Sequence, residues 1–225
     1  MSARISAWLA VAAVTLGCGT NRPTIPDELL HDEAGIGAAG YPAGPYCTNV
    51  NDCVEGAKVG NFTFADGWMN PAADGYDIAK LKPISFSDFY DPTGAKYELL
   101  MVNTAAFWCG ACQVEHGGST NKPSLNEHVD ALGTRGFAIF SLVFQDAQSN
   151  PATVENLKAW AETFETRFAL ARDPEYQMGR YAASQNAPLN LVIDAKTMTI
   201  LRVFLGDQSA VIWPFVENEL QARGK

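Results

Sequence analysis

The segment Trp108-Cys109-Gly110-Ala111-Cys112 contains two cysteines with two residues between them, and it lies shortly after an apolar run. The run, residues 97–102, has the length and apolarity of a buried strand, and residues 103–107 lead from it to the cysteines. A Cys at a helix start lies beside unpaired N–H groups and the positive end of the helix dipole, which lower the pKa of its thiol. The pattern predicts Cys109 as the exposed attacking thiolate and Cys112, one turn further on, as the more buried thiol that resolves a mixed disulfide.

Two other interpretations of the Cys pair remain open. A structural zinc site needs four ligands, and only His116 and His128 lie nearby, with no fourth ligand spaced to join them. A purely structural disulfide is common in secreted chains. The strand–Trp–Cys–helix context favours a redox function over both of these interpretations. We expect the two histidines to be solvated helix residues without a metal.

Composition limits the function classes. The chain has 225 residues, 47% of them hydrophobic and 18% charged, which suits one domain with extensions and a sizeable core. The net charge is −9 and no basic block is present, so nucleic acid is not an expected partner.

The N-terminus has the features of a targeting segment. Arg4 precedes an apolar run of signal-peptide length, which predicts a lipoprotein-type signal peptide over residues 1–17. Residues 15–19 resemble the bacterial lipobox, so Cys18 is the predicted lipidation site and membrane anchor. Ordinary secretory cleavage is the alternative, because Thr15 stands where Leu is usual. Either way we expect an extracytoplasmic, periplasmic protein, held at the outer membrane because no Asp follows Cys18.

The other two cysteines form a second local pair. Cys47 and Cys53 flank a polar, turn-rich segment, and a structural disulfide between them suits an oxidising compartment. Prolines and glycines interrupt the preceding residues, so we predict a tether over residues 18–56 and the folded domain over residues 57–225. A folded role for residues 36–46 stays open.

The remaining sequence alternates between strand-like and helix-like segments, which predicts an α/β domain with a central mixed sheet flanked by helices. The predicted strands are residues 61–65, 84–89, 97–102, 137–144, 168–171, 189–193 and 198–204. The predicted helices begin at the Cys pair, at Pro123 and at Asn150-Pro151, and two more cover residues 175–183 and 211–222.

Three motifs occur in order along this domain. Residues 102–112 read Val-Asn-Thr-Ala-Ala-Phe-Trp-Cys-Gly-Ala-Cys, Glu115 follows three residues later, and Pro188 precedes Ile193-Asp194. From about residue 60 to the end, the chain resembles the TlpA/ResA type of extracytoplasmic thiol-disulfide oxidoreductase. The resemblance implies a thioredoxin fold with an N-terminal β extension. It also implies a redox-active disulfide with no other cofactor, cysteine-containing protein substrates, and an upstream thiol reductase or oxidase.

The resemblance further implies roles for single residues. Glu115 would exchange a proton with Cys112, its pKa raised by an apolar pocket; the alternative is an exposed helix residue. Asn103 stands where cytoplasmic thioredoxins have a buried Asp. A cis Pro188 would set the Ala187 backbone beside Cys109 to pair with substrate, and the alternative is an ordinary trans proline. Trp108 would cover the site or serve as a core aromatic.

Two departures from the family pattern stand out. Thr104 and Ala105 replace a usual Phe-Trp pair, which predicts a repacked core behind the motif. Residues 117–122 form an insertion that we expect to break the active-site helix.

Rival functions come from other classes. A peroxiredoxin needs Thr or Ser three residues before its reactive Cys and Pro seven before it, positions that are Ala106 and Val102 here. A copper chaperone of this fold spaces its cysteines differently. A non-catalytic binding module would tolerate loss of a Cys, but both Cys109 and Cys112 are present.

Overall fold

The computed structural model describes residues 40–44, 46, 55–182 and 187–225. The predicted signal peptide, Cys18 and the Cys47/Cys53 pair lie outside these residues.

Within the described residues, seven strands form one mixed sheet, as predicted, in the order β2-β1-β5-β4-β3-β6-β7. Strands β3, β4 and β5 run parallel to one another. Strands β1 and β2 on one side of them, and β6 and β7 on the other, are joined to the sheet by antiparallel pairing. The β1–β2 pair is the predicted N-terminal extension. The strand bounds are Thr63–Trp68, Lys82–Ser85, Leu99–Ala106, Phe137–Gln145, Ala169–Arg172, Leu189–Asp194 and Thr199–Leu205 for β1 to β7.

Strand β3 lies near the middle of the sheet, and every one of its residues is buried. Such continuous burial explains its near-continuous apolar sequence, since both faces of the strand are covered. Leu99 and Met101 face a cluster that includes the C-terminal helix, and Leu100 and Val102 face a second cluster rich in Phe and Tyr. The strand is longer than predicted, because residues 103–106 continue the pairing with β4.

Four α-helices and four 3₁₀ segments connect the strands in the described part of the chain, and no helix there is long and apolar enough to cross a membrane. Ser124 and Thr153 cap two of the helices through capping boxes. The α-helices α1 to α4 are Gly110–Gly117, Leu125–Leu132, Val154–Thr163 and Ser209–Ala222. The 3₁₀ segments are Ile78–Lys80, Phe86–Asp88, Gly133–Arg135 and Gln177–Tyr181.

Two predicted helices differ from the observed structure. Helix α3 begins at Val154 rather than at Pro151, because Pro151 bridges to Gln145 and Thr153 supplies the cap. The predicted helix over residues 175–183 is only the 3₁₀ segment Gln177–Tyr181, since the preceding Tyr176 has a positive φ of 50° that ends regular helix there.

A predicted strand over residues 84–89 is also wrong in part. Strand β2 ends at Ser85, and the chain turns into the 3₁₀ segment Phe86–Asp88. The Asp88 side chain accepts a hydrogen bond from the Ser85 backbone N–H at 2.7 Å, which closes the turn instead of extending the strand.

Part of the range predicted as tether packs on the domain. Tyr41 is buried, its hydroxyl donates to the Val59 carbonyl at 2.9 Å, and its ring centre lies 5.7 Å from that of Tyr90. Of the two interpretations left open for residues 36–46, this packing favours the folded one at Tyr41.

Candidate functional site

The Cys pair lies at the junction between β3 and α1. Cys109 is the N-cap of α1, and its Sγ accepts a hydrogen bond from the Cys112 backbone N–H at 3.2 Å. The two sulfurs are joined in a disulfide, with Cα atoms 5.3 Å apart. The same N–H and the helix dipole would stabilise a thiolate on Cys109 once the disulfide opens.

The predicted exposure of Cys109 is wrong in this oxidised form. Both Cys109 and Cys112 are fully buried. They belong to an apolar cluster that includes Ala187 and Tyr176, residues far away in sequence. Local sequence could not show this cover, because tertiary packing brings it over the helix start.

Trp108 is half-buried beside the disulfide. Its indole N–H donates to the Gln145 side-chain oxygen at 2.9 Å, and its ring meets Phe144 edge to face at 6.0 Å. These contacts hold the ring against the end of β4, so Trp108 packs as a core aromatic and also borders the Cys pair.

The Ala187–Pro188 peptide bond is cis. The next residue, Leu189, donates its backbone N–H to the Thr104 hydroxyl at 3.1 Å. The Thr104 carbonyl oxygen also lies 3.9 Å from Cys112 Sγ. Thr104 therefore links the proline turn to Cys112, a role that sequence reasoning missed because it took this position only as a repacked core residue.

Glu115 is buried on the inner side of α1, with 7% of its surface exposed, so the alternative of an exposed helix residue is excluded. Asn103 Nδ2 donates to its Oε2 at 2.9 Å, and Asn190 Nδ2 donates to its Oε1 at 3.0 Å. Burial raises the pKa of Glu115 to about 7, even though these two hydrogen bonds favour the carboxylate. A carboxyl group with such a pKa can both accept and release a proton near neutral pH.

The prediction of a solvated His116 is wrong. Its side chain is 1% exposed, with ring centres of Trp160, Phe164 and Phe168 at 5.0, 5.6 and 6.0 Å. Since one face of α1 packs on the sheet, His116 is placed inside together with Cys112 and Glu115. His128 is half-buried and stacks on Trp213, away from these residues.

The predicted insertion does end the active-site helix. Helix α1 stops at Gly117, and Gly118 has a φ of 73°, where a Cβ would come within 3.0 Å of the Lys122 carbonyl. Ser119 and Lys122 then pair across a tight turn, and Lys122 forms an ion pair with Asp207. The turn thus adds a charged border near Glu115.

Comparison with known proteins gives a likeness in structure alone. No family model and no curated protein match the sequence. A protein from Chlorobium tepidum, provisionally assigned as a thiol:disulfide interchange protein DsbE in the description of its crystal structure, superposes with a TM-score of 0.53 at 18% identity, covering 75% of this chain and 96% of that one. The thioredoxin domain of a thiol-disulfide oxidoreductase from Bacteroides vulgatus gives a TM-score of 0.53 at 16% identity, with 74% and 98% covered.

A thiol:disulfide interchange protein from a Bacteroides species also gives a TM-score of 0.53, at 16% identity, with 75% of this chain and 91% of that one covered. The chain has the thioredoxin fold. The fold predicted from the three sequence motifs is therefore confirmed. In this thioredoxin fold the Cys pair lies just past the carboxyl end of a central parallel strand, where open α/β sheets place their sites.

Proposed function

We propose that this thioredoxin-fold protein is a thiol-disulfide oxidoreductase that exchanges its Cys109–Cys112 disulfide with protein substrates. One observation carries the proposal. The disulfide caps a helix next to a buried carboxyl group, Glu115, whose pKa near 7 suits proton exchange with a thiol. A structural disulfide needs no such neighbour. The turn at the cis Pro188 offers a backbone edge for an extended substrate chain.

In the direction of substrate reduction, the Cys109 thiolate attacks one sulfur of a substrate disulfide. A Cys109–substrate bond forms, the substrate S–S bond breaks, and the departing thiolate takes a proton from solvent. The Cys112 thiol then gives its proton to the Glu115 carboxylate and attacks Cys109 Sγ. The Cys109–Cys112 bond forms, and the second substrate thiolate leaves and takes up a proton. Two electrons pass to the substrate, and an upstream thiol reductase would restore the dithiol.

The matching test compares two activities. We expect the protein to catalyse insulin reduction by dithiothreitol, and Cys109→Ser to abolish that catalysis. Peroxide consumption without insulin reduction would support a peroxiredoxin-like activity, and absence of both would indicate a binding module. Circular dichroism of each variant would show that the fold is retained.

Substrates can be captured through the resolving step. A Cys112→Ala variant keeps the attacking thiol but cannot complete the exchange, so it should accumulate mixed disulfides with cysteine-containing proteins. The double variant Cys109→Ala and Cys112→Ala is the control and should capture none. Equal capture by both would show that adducts do not form at Cys109.

The extracytoplasmic setting is part of the proposal. It rests on the signal-peptide pattern of residues 1–17 and on Cys18 as the lipid-bearing residue and outer-membrane anchor. Mass spectrometry of the mature N-terminus distinguishes a diacylated Cys18 from ordinary secretory cleavage. A Cys18→Ser variant should move from the membrane fraction to the soluble periplasm, and unchanged fractionation would count against the anchor.

A further inference from the structure

His116 is a buried titratable group that the exchange mechanism above does not use. It follows Cys112 by one helical turn, and its Nδ1 lies 3.0 Å from the Cys112 carbonyl oxygen. Its Nε2 lies 3.0 Å from the Ser141 hydroxyl. Since Ser141 Oγ is 2.8 Å from Asn103 Oδ1, a continuous chain of contacts links His116 to Glu115 through Ser141 and Asn103.

The direction of these hydrogen bonds is set by a triangle of three side chains. One atom of the Asn103 amide contacts both Glu115 Oε2 and the Asn190 amide, whose other atom contacts Glu115 Oε1. If the Asn103 amide were flipped, its oxygen would make these two contacts. Asn190 would then have to point its nitrogen towards Asn103 and its oxygen towards Glu115 Oε1. Both carboxyl oxygens would then need a proton, and a carboxyl group carries only one. The Asn103 nitrogen must therefore face the triangle.

The protonation of His116 follows from that orientation. With its nitrogen in the triangle, Asn103 presents its oxygen to Ser141, so the Ser141 hydroxyl donates its only proton to Asn103. The contact between Ser141 and His116 then needs a proton on Nε2. The Cys112 carbonyl can only accept, so Nδ1 needs a proton as well. Every hydrogen bond of His116 is satisfied only when it is an imidazolium, and Glu115, whose two oxygens both accept amide protons, is the carboxylate that balances its charge.

Burial alone acts in the opposite direction on each group. It lowers the pKa of His116 to about 4 and raises that of Glu115 to about 7, so His116 would be neutral and Glu115 partly protonated near pH 7. The two arrangements hold the same single proton, on His116 or on Glu115, and both leave the cluster without net charge. The hydrogen bonds favour the charged arrangement, because a neutral His116 leaves one buried contact mismatched, and the attraction between the opposite charges of His116 and Glu115 adds to that preference. Lys122 and Asp207 are the other charged groups that act on Glu115, and they have opposite signs.

We propose that His116 is a positioning residue of the redox site, held as an imidazolium that is linked through Ser141 and Asn103 to the Glu115 carboxylate. This role rests on the proposed function. The imidazolium of His116 keeps Glu115 ionised, so that Glu115 can accept the proton of Cys112. When Cys112 becomes a thiolate, Glu115 is protonated and the charge of His116 balances that of the sulfur. The site then stays neutral through the resolving step, which avoids an uncompensated buried charge.

Nitrogen-15 NMR of the histidine rings tests the charge state directly. The chain has three histidines, and His128→Gln assists their assignment. In the oxidised wild-type protein at pH 7, we expect both ring nitrogens of His116 to carry protons. In Glu115→Gln the counter-charge is gone, so the apparent pKa of His116 should fall by roughly one to three units, the usual effect of a neighbouring charge. The His128 signals should not change.

Ser141→Ala provides a second variant that leaves the carboxylate in place. It removes the acceptor of the Nε2 proton, so His116 should again lose charge at pH 7. A neutral His116 ring in the wild-type protein would overturn the proposal. An apparent pKa of His116 that is unchanged in both variants would do the same, because its charge would not depend on Glu115 or on the link. Failure of insulin reduction, by contrast, would reject the proposed function and leave this NMR result standing.

Discussion

At the scale of single residues, the site depends on polar side chains that lie behind the cysteines. Glu115 is the one with a defined chemical step, because a buried Cys112 thiol resists ionisation and needs a nearby base. The side chains that hydrogen-bond to Glu115 are amides, and Asn103 cannot accept the proton in its place. In the proposed mechanism, the carboxylate therefore takes the proton of Cys112 in the resolving step.

Glu115→Gln should slow insulin reduction ten-fold or more, on the scale of about 10²–10⁴ for general base catalysis. The deficit should shrink as the pH rises, since Cys112 then ionises unaided. Stopped-flow kinetics from pH 6 to 9 would measure this, with exposed Glu155→Gln as the matched control. Wild-type rates across that range would rule out Glu115 as the base.

Thr104→Val tests the link between the proline turn and Cys112. The change leaves the Leu189 N–H without its partner in a buried position, which should lower the free energy of unfolding by about 1–3 kcal/mol. Thr104→Ser keeps the hydroxyl and should retain most of that stability. Urea unfolding of the two variants gives the comparison, and equal losses would show that the hydrogen bond contributes nothing.

At the scale of elements, a buried carboxyl group holds the segment after β5 in addition to the backbone hydrogen bonds of its 3₁₀ turns. Asp173 accepts from the Gln177 and Met178 backbone N–H groups at 2.8 and 3.0 Å, which fixes the start of the Gln177–Tyr181 segment. Burial raises the pKa of Asp173 to about 6, although these two bonds favour the charged form. The native state thus binds a proton more tightly at Asp173 than the unfolded chain does.

This difference predicts a pH dependence of stability. A raised native pKa stabilises the fold below the unfolded value near 3.9, and the contribution is lost as the pH rises through about 6. Between pH 4 and pH 7, the contribution of Asp173 to the free energy of unfolding should therefore fall by about 2 kcal/mol, taking 1.36 kcal/mol for each pKa unit. Urea unfolding of Asp173→Asn should give a flatter pH profile, and an unchanged slope would contradict the assignment.

At the scale of the whole molecule, the sheet extension and Tyr41 connect the domain to the segment that precedes it. The predicted Cys47–Cys53 disulfide belongs to that segment, and we expect it to be structural. Its short loop would stabilise the protein by about 2 kcal/mol in the chain-entropy account. Replacing both cysteines by Ser should lower the melting temperature by several degrees and leave insulin reduction intact. Loss of turnover in a folded variant would indicate electron transfer between the two pairs.

The sequence by itself determined the α/β architecture, most strand positions and the helix that starts at Cys109. These follow from local signals, namely continuous apolar runs, the Cys spacing and the glycine that ends α1. The predicted helix start at residues 150–151 and the predicted helix over residues 175–183 were wrong. A bridge at Pro151 and the backbone conformation of Tyr176 compete there with helical propensity. Such competition depends on neighbours that the local pattern does not contain.

Only the tertiary structure decided the surroundings of the cysteines. The cover over Cys109, the hydrogen bond of Thr104 and the chain of contacts from Glu115 to His116 each join residues from different strands and helices. Sequence predicted a solvated His116, since a polar residue on a helix is usually exposed. Helix α1 places it inside because one face packs on the sheet, and burial then changes the proton affinities of both groups. Local sequence can therefore identify the redox pair, whereas its acid–base chemistry depends on packing between distant segments.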